Sequence, residues 1–261
     1  MAERKGRVEG KVAIVTGAGS RGEGIGNGRA ASVLLAREGA KVALLDQMRD
    51  WVEETQRMIA AEGGEAIIIE ADVAKPADCE AAVAATVRAW GRLDILVNNV
   101  GLHGPTGTAV TVDPDEWDHD LKVNVTSMML MAKYAIPEMI KQGGGAIVNL
   151  ASVAGLQGGH TELLYPTSKG AVVNMTRAMA AHHGQQGIRV NCVAPGMVYT
   201  PMVIAQGMPP ERREARRQRS LLKTEGSGWD VGYAVLYLAS DEARWVTGVV
   251  LPVDAGATAG R

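Results

Sequence analysis

Ser152 stands 13 residues before Tyr165, and Lys169 stands four residues after it. A helix beginning near Tyr165 puts the phenol and the ammonium one turn apart on a single face. Free tyrosine titrates near ~10. A fixed positive charge beside it favours the phenolate and lowers that value. A phenol tuned in this way can give a proton to an alcohol oxygen, or take one from it, near neutral pH. Tyr-x-x-x-Lys also arises by chance on helix surfaces, so the surrounding elements decide what this tetrad does.

Those elements alternate. Residues 11–16 form a short, nearly continuous apolar run, the signature of a strand buried on both faces. Residues 25–37 then carry helical periodicity. Further strands are expected at 41–46, 66–71, 93–97, 146–150, 188–193 and 249–253. Helices are expected at 49–61, 76–90, 114–140 (broken near Pro137), 165–183, 209–219 and 229–240. This β-α alternation predicts an α/β fold: one Rossmann-type, doubly wound parallel sheet of about seven strands. No linker or repeat divides the series, so residues 11–261 are expected to form a single domain behind a flexible N-terminal arm at 1–10. Residues 197–227 have the weakest periodicity and are expected to form a substrate-side flap.

A glycine-rich loop, Thr16-Gly17 to Gly26, lies between the first strand and the first helix. Gly17, Ser20, Arg21, Gly24, Ile25 and Gly26 are its candidate contacts to a dinucleotide pyrophosphate, which the helix N-terminus would favour. Asp46 ends the second strand, 20 residues after Gly26. A carboxylate there can accept from both adenosine ribose hydroxyls and would repel a 2′-phosphate, so NAD is expected over NADP. Asp72-Val73 ends the third strand and is a candidate for the adenine amino group, or a turn before Pro76. Asn99 and Gly101 end the fourth, where Asn98 and Asn99 can bond backbone across strand ends.

Composition narrows the classes. The chain has 261 residues, 46% hydrophobic, 21% charged, with net charge −2. That is a globular balance with no pull toward nucleic acid. No apolar run reaches the ~18 residues of a membrane span. The arginine-rich run at 211–219 mixes in two glutamates and reads as a solvated helix. Cys79 and Cys192 are isolated in apolar surroundings, which suits two buried thiols in a reducing, cytoplasmic setting. The five histidines are scattered, and no metal site is expected.

Taken in order, Thr16-Gly17…Gly24-Ile25-Gly26, Asp72-Val73, Asn98-Asn99-Val100-Gly101, Asn124, Ser152, Tyr165-x-x-x-Lys169 and Pro195-Gly196 resemble the short-chain dehydrogenase/reductase family. The resemblance runs from about Gly10 to Gly256 and fits the compact, single-domain branch. It implies Tyr165 as general acid/base, and Ser152 as the group that orients the substrate oxygen. It implies Lys169 on the nicotinamide ribose, lowering the phenol pKa, and Asn124 holding a water linked to Lys169. Pro195, Gly196, Val198 and Thr200 would lie along the nicotinamide carboxamide. It also implies a homotetramer. Arg21-Gly22-Glu23 look like an insertion in the glycine loop, Val100 replaces the usual Ala, and Asp254-Ala255-Gly256 replaces Asp-Gly-Gly.

The chemistry expected is hydride transfer between NAD(H) and a small, hydrophobic secondary alcohol or ketone. His103, Val153, Gln157, His160, Leu163, Met197 and Met202 are the candidate substrate contacts, a mostly apolar set. Two alternatives remain: an NADPH-dependent 3-oxoacyl reductase, and a nucleotide-binding regulatory protein without catalysis. The second has no need of Asn124, Ser152, Tyr165 and Lys169 together.

Overall fold

The apolar runs pair edge to edge. In the computed structural model, which describes residues 6–204 and 207–260, seven strands form one sheet in which every pairing is parallel. The chain runs β1 (Val12–Thr16), α1 (Asn27–Arg37), β2 (Lys41–Asp46), α2 (Arg49–Ala61), β3 (Ala66–Glu70), α3 (Pro76–Trp90) and β4 (Ile95–Asn98). It continues through α4 (Pro114–Leu121), α5 (Ser127–Lys141), β5 (Gly145–Leu150), α6 (Leu164–His183) and β6 (Ile188–Pro195). β7 (Val198–Tyr199), α7 (Pro201–Ile204), α8 (Pro210–Gln218), β8 (Gly226–Ser227), α9 (Gly228–Ala239) and β9 (Val250–Val253) complete it.

The strand order is β3-β2-β1-β4-β5-β6-β9. The chain winds outward from β1 through β2 to β3, then returns to place β4 on the other flank of β1. Loops leaving β1 and β4 therefore diverge at the carboxyl ends and open a crevice between them. Alternate residues of each strand feed opposite layers. Ala13 and Val15 join a core with α1, α2 and α9. Ile14 joins one with α3, α5 and α6.

The layers approach closely because small residues face each other. A Cβ on Gly232 of α9 would lie 2.9 Å from Leu34 Cδ1 and 3.1 Å from Ala30 of α1. With 32 glycines and no phenylalanine, the chain packs by close approach rather than by bulk.

Three expectations change. The helix at 114–140 is not one rod broken at Pro137. A π-helical turn, Lys122–Thr126, separates α4 from α5 and turns Asn124 inward, where it is fully buried. Pro137 sits inside α5, and the helix continues to Lys141. Pro137 and Lys133 are both on the exposed face, where water can satisfy the carbonyl that proline leaves unpaired. The terminal arm, whose residues 1–5 lie outside the described residues, is anchored from residue 6 onward. Val8 is fully buried and donates to Glu38 O at 3.1 Å, and Arg7 pairs with Glu242. The flap at 197–227 is pinned at its base, since β7 pairs with β8; residues 205–206 lie outside the described residues. No helix among the described residues is long and apolar enough to cross a membrane. Cys79 and Cys192 are both free and buried.

Gly232→Leu should destabilise the fold by about 1–3 kcal/mol through overpacking between α1 and α9. A urea unfolding midpoint lowered with unchanged slope would record it. A midpoint equal to that of the parent protein would contradict this close contact.

Candidate active site

One cavity of about 690 Å³ runs across the carboxyl ends of the strands. Its lining comes from the loops after β1 to β6 and from the flap, the places where parallel strands leave their last backbone groups open.

The β1 end is built around backbone. Thr16 Oγ1 receives the Asn99 N–H at 3.0 Å, and Asn99 Nδ2 donates to the carbonyls of Thr16 and Gly17 at 3.2 and 2.9 Å. Gly17 turns with φ +63°, and a Cβ on Gly28 would lie 2.0 Å from Gly17 O. Only glycine lets the loop and α1 meet there. The first turn of α1 has no side-chain cap and no acidic residue, and Gly26, Asn27 and Gly28 line the cavity. Its unspent N–H groups and partial positive charge fit an anionic pyrophosphate. Asn27 Oδ1 is sealed from solvent and has no partner among the described residues.

A residue that sequence inspection passed over holds this loop. Arg29 is buried in the apolar face of α1. It donates to Gly24 O at 2.6 Å, Trp51 O at 3.3 Å and Thr55 Oγ1 at 3.1 Å. Thr55 in turn donates to Ala18 O at 2.8 Å. The signal was present: an arginine in the middle of a helix face otherwise made of Ala, Val and Leu. Gly24 serves this clamp, and neither it nor Ile25 is among the cavity-lining residues, unlike Gly17, Ser20, Arg21 and Gly26.

Asp46 lies where the second strand meets the cavity. Its Oδ2 accepts from the Gly19 N–H at 3.1 Å, and burial pushes its carboxyl above the ordinary range. Arg21 stacks its guanidinium 5.1 Å from the Trp51 ring centroid. Asp72 and Val73 also line the cavity. Asp72 Oδ1 accepts from Ala74 N–H at 3.0 Å, so the turn role holds alongside any ligand role.

At the β5 end the tetrad comes together. Ser152 Oγ accepts from the Ala154 N–H at 3.2 Å, and its hydroxyl is near enough to Tyr165 to favour the phenolate. Lys169 is buried, donates to Leu150 O at 3.1 Å, and stands 5.8 Å from the Tyr165 ring centroid. Asn124 does not line the cavity. Its Oδ1 accepts from Leu102 N–H at 2.6 Å, and its Nδ2 donates to Leu102 O at 2.9 Å and Ser168 Oγ at 3.2 Å. It therefore fixes the segment after Gly101 to α6. Lys169 Nζ and Asn124 Oδ1 both approach the position a Cβ on Gly101 would take, at 3.0 and 3.5 Å.

The expected lowering of the phenol by Lys169 is not what this geometry gives. Burial raises the Tyr165 pKa, and only the neighbouring Ser152 hydroxyl works against it. Burial also pushes Lys169 down to about 8. The lysine points at a backbone carbonyl, behind the ring rather than at the phenol oxygen.

His103 and His160 flank the Tyr165 ring, with centroids 4.9 and 5.4 Å away. Burial lowers the His103 pKa, so its ring is neutral at pH 7. Val153, Gln157, Met197 and Met202 line the same end, as do Pro195, Gly196, Val198 and Thr200. Leu163 does not; it lies at the surface. The flap adds two residues read from sequence as solvated, Arg216 and Arg219. No group of His, Cys, Asp and Glu among the described residues could hold a metal ion.

A family model described as Enoyl-(Acyl carrier protein) reductase matches residues 19–258. The 2-(R)-hydroxypropyl-CoM dehydrogenase of Xanthobacter autotrophicus is 39% identical over 252 residues, covering 95% of this chain and 99% of its own. A crystal structure described as a short-chain dehydrogenase/reductase from Burkholderia xenovorans superposes with a TM-score of 0.94 at 42% identity, covering 97% of this chain and 98% of that one. Carveol dehydrogenase from Mycobacterium avium, in complex with NAD, superposes with a TM-score of 0.90 at 31% identity, covering 97% and 99%.

Lys169→Met isolates the cost of burying the ammonium. Between about pH 8 and the unfolded value of 10.5 the folded lysine is neutral while the unfolded one is charged. The unfolded state then binds more protons, so wild-type stability rises with pH across that window by about 1.4 kcal/mol per unit relative to the variant. Ligand-free unfolding measured from pH 7 to 10.5 checks it. Parallel pH curves for the two proteins would mean that Lys169 is not desolvated.

Proposed function

The chain belongs to the short-chain dehydrogenase/reductase family, and on that premise we propose that it transfers hydride between NAD(H) and a secondary alcohol or ketone, with Tyr165 as general acid/base. The observation that carries this is the convergence of Ser152, Tyr165 and the buried Lys169 on one cavity wall. Relatives named as dehydrogenases of hydroxypropyl-CoM and of butanediol, and a neighbour named as a carveol dehydrogenase in complex with NAD, support an alcohol substrate and a nicotinamide cofactor.

The residues present fit that cofactor. The uncapped start of α1 would hold the pyrophosphate, and Asp46 the adenosine ribose hydroxyls. Asp72 and Val73 would meet the adenine, and Val198 and Thr200 the carboxamide. Bound there, a nicotinamide supplies the hydride acceptor in oxidation and the donor in reduction. Asp46 favours NAD, because a 2′-phosphate would bring negative charge against a half-buried carboxylate.

Tyr165 handles the proton. As phenolate it takes the alcohol proton while the carbon loses hydride; as phenol it gives that proton back in the reverse direction. Ser152 donates to the same substrate oxygen and keeps it within reach of the phenol. Its hydroxyl, beside the phenol, also offsets part of the burial that raises the Tyr165 pKa. Lys169 is then the ribose-binding group. Asn124 keeps the Gly101–His103 segment and α6 in register, with its amide oxygen close to Lys169. Because the Tyr165 phenol starts above its ordinary value, alcohol oxidation gains rate as pH rises through the alkaline range, and ketone reduction does not.

Tyr165→Phe should lower turnover by about 10²–10⁴-fold or more while NADH binding, followed by fluorescence, stays within a few-fold of wild type. Substantial turnover in the purified variant would overturn the assignment of Tyr165. Asp46→Ser should cut the preference for NAD over NADP by about tenfold, the equivalent of one lost charged hydrogen bond. A wild-type protein that prefers NADP would instead favour the 3-oxoacyl reductase alternative.

A further inference from the structure

Four of the five arginines between 212 and 219, in α8 and at its C-terminal cap, divide by their partners. Arg213 and Arg217, four apart, are answered by carboxylates: Arg213 by Glu225 at 2.5 Å and Arg217 by Glu214 at 2.8 Å. Arg216 and Arg219, three apart, line the cavity, and Arg213 and Arg216 both lie over the Tyr199 ring. Among the described residues neither has a carboxylate partner. The Arg216 guanidinium lies 5.4 Å from the Tyr199 ring centroid, and its Nε is sealed from solvent with no hydrogen-bond partner. Stacking on tyrosine fixes the plane of the fork without neutralising it. Native proteins rarely leave such a donor unspent.

The charge is placed at the substrate end. It reaches His103, which stacks on Tyr165. Among the described residues, the only carboxylates lining the cavity, Asp46 and Asp72, belong to the ends of β2 and β3. Glu162 is near but is already paired with His160 at 2.7 Å and with Thr161. Resting on the alcohol-dehydrogenase reading above, we propose that the substrate carries an anionic group, a carboxylate or sulfonate, which the Arg216 fork receives, with Arg219 adding to the field. A planar guanidinium held on an aromatic ring suits two parallel hydrogen bonds to such an oxyanion. The otherwise apolar wall of Val153, Met197 and Met202 would then contact the carbon chain between the carbinol and the anion.

The test is calorimetric titration of NADH-loaded protein with methyl-ketone carboxylates having two to four methylenes between the two groups. Their methyl esters and the matching sulfonates are titrated alongside. Wild type should bind the best acid about 10- to 100-fold tighter than its ester. Arg216→Met should bring the two within about twofold, with NADH binding unchanged, whereas Arg213→Met should leave the preference intact. The sulfonate arm identifies which oxyanion is favoured. No preference for either oxyanion at any length, or a preference that survives Arg216→Met, would overturn the proposal. So would Arg216→Met weakening NADH instead, which would assign the arginine to a cofactor phosphate. Turnover is scored separately. Acid-selective binding without reduction of any ketone would remove the dehydrogenase reading and leave the anion site standing; ketone reduction without acid selectivity would do the reverse.

Discussion

A buried ammonium is the constraint around which the substrate end of this molecule is built. Lys169 is only 4% exposed and has one backbone acceptor, Leu150 O. Taking such a charge out of water costs several kcal/mol unless the surroundings answer it. The surroundings answer in three ways. The Leu150 carbonyl is the last of β5. α6 carries the lysine one turn beyond Tyr165. The Gly101 backbone leaves room for Nζ, because a Cβ there would sit 3.0 Å from it. The first and last come from the ends of the paired strands β5 and β4, so those strands must be in register before the lysine can be accommodated. The lowered pKa of about 8 measures what remains unanswered. A bound ribose hydroxyl and a phenolate would supply the missing partners, which makes cofactor binding and proton transfer draw on one group.

The scaffold was readable because it is locally consistent. Seven apolar runs separated by helical stretches can hardly bury themselves except as a parallel sheet, and residues such as Val15 and Leu44 are fully enclosed as a double-faced sheet requires. The tetrad was readable because Tyr165 and Lys169 share a helix and Ser152 follows the end of a strand. What escaped notice was what periodicity does not encode. The π-helical turn around Asn124 has no pattern of its own, and its residues look like continuous helix. Proline at 137 drew attention to a break that an exposed helix face absorbs without one. The phenol pKa depended on burial and on where Lys169 Nζ points, and neither can be read from four-residue spacing.

Arginines show the same limit in two directions. Arg29 lies in an apolar stretch and holds the glycine loop from inside, so its charge is spent on carbonyls of Gly24 and Trp51. Between 212 and 219 the charges look uniform along the chain, and only the fold separates the carboxylate-paired Arg213 and Arg217 from Arg216 and Arg219 at the cavity. Composition counts both as solvated charge. Position distinguishes a loop clamp, a surface ion pair and a cavity wall.

The cavity is consequently polarised along its length. Carboxylates stand at the β2–β3 end with Arg21 beside Asp46, an uncapped helix start lies in the middle, and Lys169, Arg216 and Arg219 lie at the far end. A dinucleotide would span the first two, offering ribose hydroxyls to Asp46 and phosphate charge to α1. That arrangement leaves the cationic end to the second ligand. A wholly neutral alcohol would leave the Arg216 donor enclosed without an acceptor each time it bound, and desolvation by the bound chain would raise that cost. An anion placed there instead fixes the carbinol at a set distance from the Tyr165 oxygen, because the arginine and the phenol are held by separate rigid elements, the Tyr199 stack and α6. Recognition at one end then becomes orientation at the other, and the flap, through α8, supplies the first while the sheet supplies the second.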